Sequence, residues 1–367
     1  MKRRSDKQND FIRQIAIGIV ALAFVGALGF FAFNWYYEQG PGSAGQAKNI
    51  NNQTTTSGLP IAGGTSKGEE KQKTIGRTKK KSEAEKVATQ EADAETNEAN
   101  GLVFDYAHKS LPDVVKEYLD EMGIPHDAIA FSYKNTATGE LIEMNETQPM
   151  TAGSTYKLPL NMLVVDEVAD GKFTLDEEFD ITNTYYEYQG EHDNYVAAFN
   201  GKMTIPDMQR YSLVYSENTP AYALADRLGG MAKARAMFNR YGESKASIKT
   251  FSEENKTTTN YYIQVLDYLW KHRDKYKDLR EFIGESFEGQ YAKGLLPNIK
   301  IEQKPGYVAE ALNVDAIMYE ETPYLVALYT AGLGGTTPAS TEISDVGAWQ
   351  VSQIIYVINE WHRVNMN

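Results

Sequence analysis

The chain has 367 residues, 42% hydrophobic and 11% aromatic, which is enough apolar surface to rule out a wholly disordered polymer. With no cysteine, it lacks thiol nucleophiles, thiolate metal sites and disulfides, and a formal charge of −13 argues against a nucleic-acid binder, which would show a basic stripe. Its five histidines lie far apart without an HExxH spacing, so neither a metal nor another cofactor is expected.

Residues 15–33 form an uninterrupted run of nineteen apolar or small side chains. As a helix this run spans about 28 Å, close to the hydrocarbon thickness of a bilayer. Lys2, Arg3, Arg4, Lys7 and Arg13 precede it, and Trp35, Tyr36 and Tyr37 follow. That order predicts a single-pass cell-membrane anchor over 15–37, with residues 1–14 cytoplasmic and the rest of the chain extracellular. A cleavable signal peptide would have a shorter apolar run, and Ser43–Ala47 is only a weak cleavage match. From 38 to 100 there is no Phe, Trp or Tyr, while Gly, Ser, Thr, Asn, Gln, Lys and Glu dominate. This composition predicts a disordered extracellular linker over 38–100, with some helical tendency toward its end. Residues 1–100 carry about +3 of the total −13, so the folded part expected at 101–367 is strongly acidic, at about −16.

Within 101–367 the periodicity predicts a helix at 112–121, a strand at 128–133 and, after the turn 135–139, a second strand at 140–144. A mostly helical stretch then runs to about 286. Strands return at 299–303, 311–319 and 324–330, and an amphipathic helix at 345–363 closes the chain. The expected fold is α+β: an antiparallel five-stranded sheet flanked by terminal helices, with an all-helical lobe inserted and a cleft between them. Trp270, Trp349 and Trp361 fall at helical positions expected to be core.

The most informative segment is Ala152-Gly153-Ser154-Thr155-Tyr156-Lys157-Leu158-Pro159-Leu160. It opens a helix that is apolar nearly all round and therefore buried. Ser154 and Lys157 are three residues apart, on one face of the first turn. A hydroxyl needs a base to become a nucleophile, and a lysine is that base only when its amine is partly neutral. Desolvation and a second nearby cation would both lower its pKa. Alone, S-x-x-K could equally be an N-cap serine with a solvated lysine. Two more elements stand downstream in order. Tyr215-Ser216-Glu217-Asn218 puts a hydroxyl and an amide at a helix start, and Lys304-Pro305-Gly306 follows a strand.

Together the three elements resemble the class A β-lactamase and penicillin-binding protein superfamily, which carries S-x-x-K, then S-D-N, then K-T/S-G. The resemblance covers essentially 101–367. It implies Ser154 as the acylated nucleophile, Lys157 as general base, Ser216 as proton relay and Asn218 as the holder of the substrate's amide side chain. It implies Lys304 as the source of positive potential for a substrate carboxylate and for lowering the pKa of Lys157. Gly306 belongs to that binding strand, and the backbone N–H groups of Ser154 and Tyr307 form the implied oxyanion hole. The implied partners are a β-lactam or a D-Ala-D-Ala-type peptidoglycan stem peptide. Three departures stand out. Glu217 replaces the usual Asp, Pro305 replaces the hydroxyl of K-T/S-G, and no E-x-x-L-N motif supplies a deacylating glutamate. Glu243, Glu253 and Glu254 lie near its place by counting, but read better as surface residues. Acylation without efficient deacylation suits a penicillin-binding protein more than an efficient β-lactamase. The competing expectation is a catalytically silent wall-binding protein that keeps the fold. The cluster Tyr185, Tyr186, Tyr188 and Tyr195, with Glu187, Glu191 and Asp193, reads as a solvent-facing loop rather than a cleft wall.

Overall fold

A computed structural model describes residues 80–246, 255–334 and 343–366. The expected anchor at 15–37 and residues 38–79 lie outside the described residues. Among the described residues no helix is long and apolar enough to cross a membrane.

The first described helix corrects the expected linker. Residues Glu83–Asn100 form helix α1, opened by a capping box between Ser82 and Glu85 and closed by Gly101 at φ 68°. The linker reading failed here because α1 docks through polar groups rather than an apolar stripe. The buried Asn97 donates to Glu360 at 3.2 Å and accepts from the Tyr356 hydroxyl at 2.8 Å, and Arg363 pairs with Asp93 at 3.2 Å. The folded part therefore includes residues from Lys80 to Asn100, ahead of position 101.

Helix α2, Leu111–Met122, starts at the N-cap Ser110 with Pro112 in its first turn and ends at Gly123. Strands β1, Ile129–Asn135, and β2, Leu141–Met144, form the expected hairpin. After the helical lobe come β3, Ile301–Val308, β4, Ala311–Met318, and β5, Tyr324–Thr330. The five strands make one antiparallel sheet in the order β2-β1-β5-β4-β3. Alternation along the strands supplies two cores. Phe131, Tyr133, Val314 and Leu328 pack with α2 and the terminal helix, whereas Ala130, Ala327 and Tyr329 face the helical lobe.

That lobe contains α3, Lys157–Ala169, α4, Gln189–Ala198, α5, Ile205–Val214, and α6, Asn218–Arg227. It continues with α7, Met231–Ala236, α8, Thr259–Lys271, and α9, Lys277–Glu285. As its sequence predicts, α3 is buried over most of its length. The terminal helix α10, Asp345–Asn365, buries Trp361 but leaves Trp349 half exposed and Val346 more so. Gly347 is buried at the start of α10, but continuous burial starts only at Val351 and the side that carries Val346 and Trp349 is exposed, so Trp349 is not a core residue. Strand β3 runs five residues past its expected end, through Pro305 and Gly306. It is an edge strand, where a residue without an N–H is tolerated.

Candidate active site

Ser154 lies between two rigid supports. Met150–Thr151 pairs with Lys256–Thr257, and a 3₁₀ turn, Gly153–Tyr156, then leads directly into α3. Beside this turn runs β3, at backbone contact distance. A Cβ on Gly306 would stand 2.5 Å from the carbonyl oxygen of Ala152 and 2.6 Å from Thr155 Cγ2. A Cβ on Gly153, at φ 58°, would stand 2.8 Å from the backbone nitrogen of Tyr307. Two glycines, facing each other, thus allow the Tyr307 peptide to lie against the turn that carries Ser154. Asn313 fixes the approach by donating to the carbonyls of Thr151 (2.7 Å) and Ala152 (3.0 Å).

Lys157 is fully buried, and its ammonium donates to the Ser216 carbonyl and, at 2.7 Å, to Asn218 Oδ1. No hydrogen bond joins it to the Ser154 hydroxyl among those of the described residues; such contacts often tighten only when substrate is bound. Burial pushes the Lys157 amine down to about 8, while the carboxylates of Glu191, Glu217 and Glu187 push the other way. The depression comes from desolvation first, rather than from a second cation. Lys304, also fully buried, donates to Ser216 Oγ and to the Pro305 carbonyl, each at 2.8 Å. Burial, then repulsion from Lys157, holds its pKa well below the usual lysine range.

Ser216 links the two amines, its carbonyl toward Lys157 and its hydroxyl toward Lys304. It does so from the left-handed region, at φ 63°, in the short link between α5 and α6. A non-glycine residue held there is strained, and such strain clusters at functional sites. Ser154, Ser216, Asn218, Pro305 and Tyr307 all line one cavity of about 410 Å³, with Lys157 and Lys304 beneath it. Ser154, Lys157, Ser216, Asn218, Lys304 and Tyr307, singled out from the sequence, therefore meet at one place, and the seventh, Gly306, packs against the Ser154 turn beside the cavity.

Three neighbours complete the site: Asn255, which no sequence feature singled out, and Glu187 and Glu191, expected on a solvent-facing loop but brought to the site by the start of α6. Asn255 lines the cavity, its main chain accepting from Ala152 N at 2.8 Å, its Nδ2 donating to the Gly153 carbonyl at 3.3 Å and its buried Oδ1 unpartnered. Glu191 caps α6 by accepting from the N–H groups of Asn218 (2.8 Å) and Thr219 (2.6 Å). Glu187 lines the cavity and accepts from Asn218 Nδ2 at 3.3 Å and the Tyr222 hydroxyl at 2.5 Å. The tyrosine-rich segment is thus divided. Tyr188 joins the cavity wall, Tyr185 and Tyr186 face outward, and Tyr195 belongs to the lobe's core. Glu243 is exposed and bonds Gln264 through its main chain, away from the cavity, as expected of a surface glutamate. Glu253 and Glu254 lie outside the described residues.

Solved structures with this architecture include a β-lactamase from Xanthomonas campestris pv. campestris, with a TM-score of 0.55, 18% identity, and coverage of 67% of this chain and 97% of that one. An ancestral class A β-lactamase gives a TM-score of 0.56 and 19% identity over 68% of this chain and 99% of that one. The TLA-1 extended-spectrum β-lactamase gives a TM-score of 0.55 and 16% identity, covering 68% and 97%. No curated protein sequence matches the chain. The model of the beta-lactamase enzyme family matches residues 113–355. That span takes in the nucleophile turn, the α5–α6 link and strand β3, and the chain belongs to this family.

Proposed function

We propose that the chain is a serine hydrolase that works through an acyl-enzyme on β-lactams or D-Ala-D-Ala-type cell-wall peptides. The observation that carries the reading is the desolvated Lys157, held by Ser216 and Asn218 one helical turn from Ser154, with Lys304 on the far side of Ser216. With its pKa at about 8, a usable fraction of Lys157 is neutral near pH 7. The neutral amine takes the Ser154 hydroxyl proton as Oγ bonds the substrate's carbonyl carbon. Backbone N–H groups of Ser154 and Tyr307 receive the oxyanion, an interaction whose single donors typically contribute about 10²–10³ in rate. The intermediate collapses by breaking the C–N bond, and the Ser216 hydroxyl passes its proton to the leaving nitrogen. Lys157, now an ammonium, returns a proton to Ser216, restoring both groups. Deacylation lacks a recognisable glutamate in the sequence, so the acyl-enzyme is expected to persist, as in a penicillin-binding protein. We further propose that residues 15–37 anchor the chain in the cell membrane with the catalytic part outside. The apolar run at 15–33 and its basic and aromatic flanks support this.

A fluorescent penicillin tests the proposal. Covalent label on the full-length chain, lost in Ser154→Ala and blocked by unlabelled penicillin, supports it. Label that survives Ser154→Ala contradicts it.

A further inference from the structure

The amide of Asn218 is held from both ends. Its Oδ1 accepts from Lys157 at 2.7 Å, which leaves Nδ2 to donate to Glu187 Oε2 at 3.3 Å. The other Glu187 oxygen accepts from the Tyr222 hydroxyl at 2.5 Å, so both of its partners come from α6. These bonds fix the carboxylate at the wall of the cavity that Ser154 lines, next to the exposed Tyr188. Neither partner is a cation. Arg235 stands over the Tyr156 ring, 5.8 Å from its centroid, and no ion pair joins Glu187 to any cation among the described residues. Lys157 is engaged by Ser216 and Asn218, and Glu191 by the N–H groups of Asn218 and Thr219.

We propose that Glu187 is a specificity-determining residue, selecting acyl donors whose side chain carries a positively charged amine and disfavouring those that carry a carboxylate there. This rests on the acyl-enzyme reading of the site. That reading gives Asn218 the substrate's amide side chain, whose carbonyl must take Nδ2, the same group that Glu187 accepts from. A carboxylate offers only lone pairs. An acyl side chain that brings a second carboxylate therefore sets like charge against like. One that brings an ammonium replaces the shared Asn218 donor with a charge-assisted bond, with the Tyr188 ring on the same wall. The site thus attracts one class and repels the other, which is how specificity is commonly built. The favoured class comprises penicillins with an amino group on the acyl side chain and stem peptides with a free side-chain amine. Glu187 is exposed, so the selection is modest and weakens as salt rises.

Benzylpenicillin, ampicillin and carbenicillin share one phenylacetyl skeleton and differ at its α-carbon, which bears hydrogen, an amine or a carboxylate. The test is the acylation rate of each on the full-length chain, read by intact mass in low salt at about pH 6.5, where an α-amine is largely protonated. Ampicillin is expected to react faster than benzylpenicillin and carbenicillin slower, each by about two- to fivefold. In Glu187→Gln the three rates should converge, and in Glu187→Lys their order should invert. Ratios within one variant cancel any change common to all three, including a shift of Asn218. Equal rates in the wild type overturn the proposal. So does a preference that persists in Glu187→Gln, which would belong to the net acidity of the folded part. Non-covalent binding of the three to Ser154→Ala, by ligand-observed NMR, needs no acylation. The same order of affinity there, lost when Glu187→Gln is added, upholds the selection even where wild-type Ser154 takes no adduct, a result that rejects the acyl-enzyme reading alone. Adducts on Ser154 formed at equal rates reject the selection alone.

Discussion

Lys304 donates a 2.8 Å hydrogen bond to the hydroxyl of Ser216, a residue strained into φ 63°. The strain turns the Ser216 carbonyl toward Lys157 while its hydroxyl meets Lys304, so one serine contacts both buried amines. Glycine at this position would relax the backbone but remove the hydroxyl. Ser216→Gly is expected to leave stability unchanged or raise it by up to about 1 kcal/mol, while acylation falls by about 10²–10³-fold. Thermal melts read beside the labelling rate check this, and a parallel fall in both would show that Ser216 has only a structural role.

Pro305 presents a ring where the family carries a hydroxyl, next to a Lys304 already engaged by Ser216 and the Pro305 carbonyl. Restoring the hydroxyl should return a hydrogen bond to a substrate carboxylate. Pro305→Thr on the edge strand is expected to speed labelling by carboxylate-bearing penicillins by about tenfold, a charge-assisted bond's worth. Neutral ester acyl donors should show no such gain.

The close approach of β3 to the nucleophile turn predicts an intolerance at Gly306. An alanine Cβ would meet the Ala152 carbonyl at 2.5 Å, where backbone, not a flexible side chain, must yield. Gly306→Ala is expected to destabilise by about 1–3 kcal/mol and to slow acylation at least tenfold, because the Tyr307 peptide is pushed off the turn. Denaturant unfolding and labelling kinetics together check it.

Helix α1 belongs to the folded part, through Asn97, Glu360 and Arg363. A chain that begins at Lys80 is expected to melt like the full-length protein. One that begins at Gly101 strips Asn97 from the buried Glu360, a loss of about 1–3 kcal/mol, and should melt about 3–10 °C lower.

Much of the site was legible because its chemistry is local. Ser154 and Lys157 are tied by helical spacing, Ser216 and Asn218 by adjacency at a helix start, and Lys304 and Gly306 by their place on a strand. The order of two strands, a long helical stretch, three strands and a closing helix was enough to foresee an antiparallel sheet with terminal helices and an inserted helical lobe. What escaped depends on contacts between distant segments. Asn255 has no motif, and its place is set by the pairing of Met150–Thr151 with Lys256–Thr257. Glu191 sits in a tyrosine-rich stretch, and its partners at 218 and 219 are found only once α4 meets α6. Helix α1 lacks aromatics because it docks through amides and ion pairs, which hydropathy does not register. At Trp349 the helical period was right and the cover was missing, since periodicity says which face a residue takes but not where the neighbouring sheet ends.

The most direct test is a time course of intact mass for the full-length chain with excess benzylpenicillin, followed by peptide mapping. The account predicts an increase equal to one penicillin, localised to Ser154 and retained for many minutes, and no increase in Lys157→Met. Adduct on another residue, or an equal adduct in Lys157→Met, would contradict it.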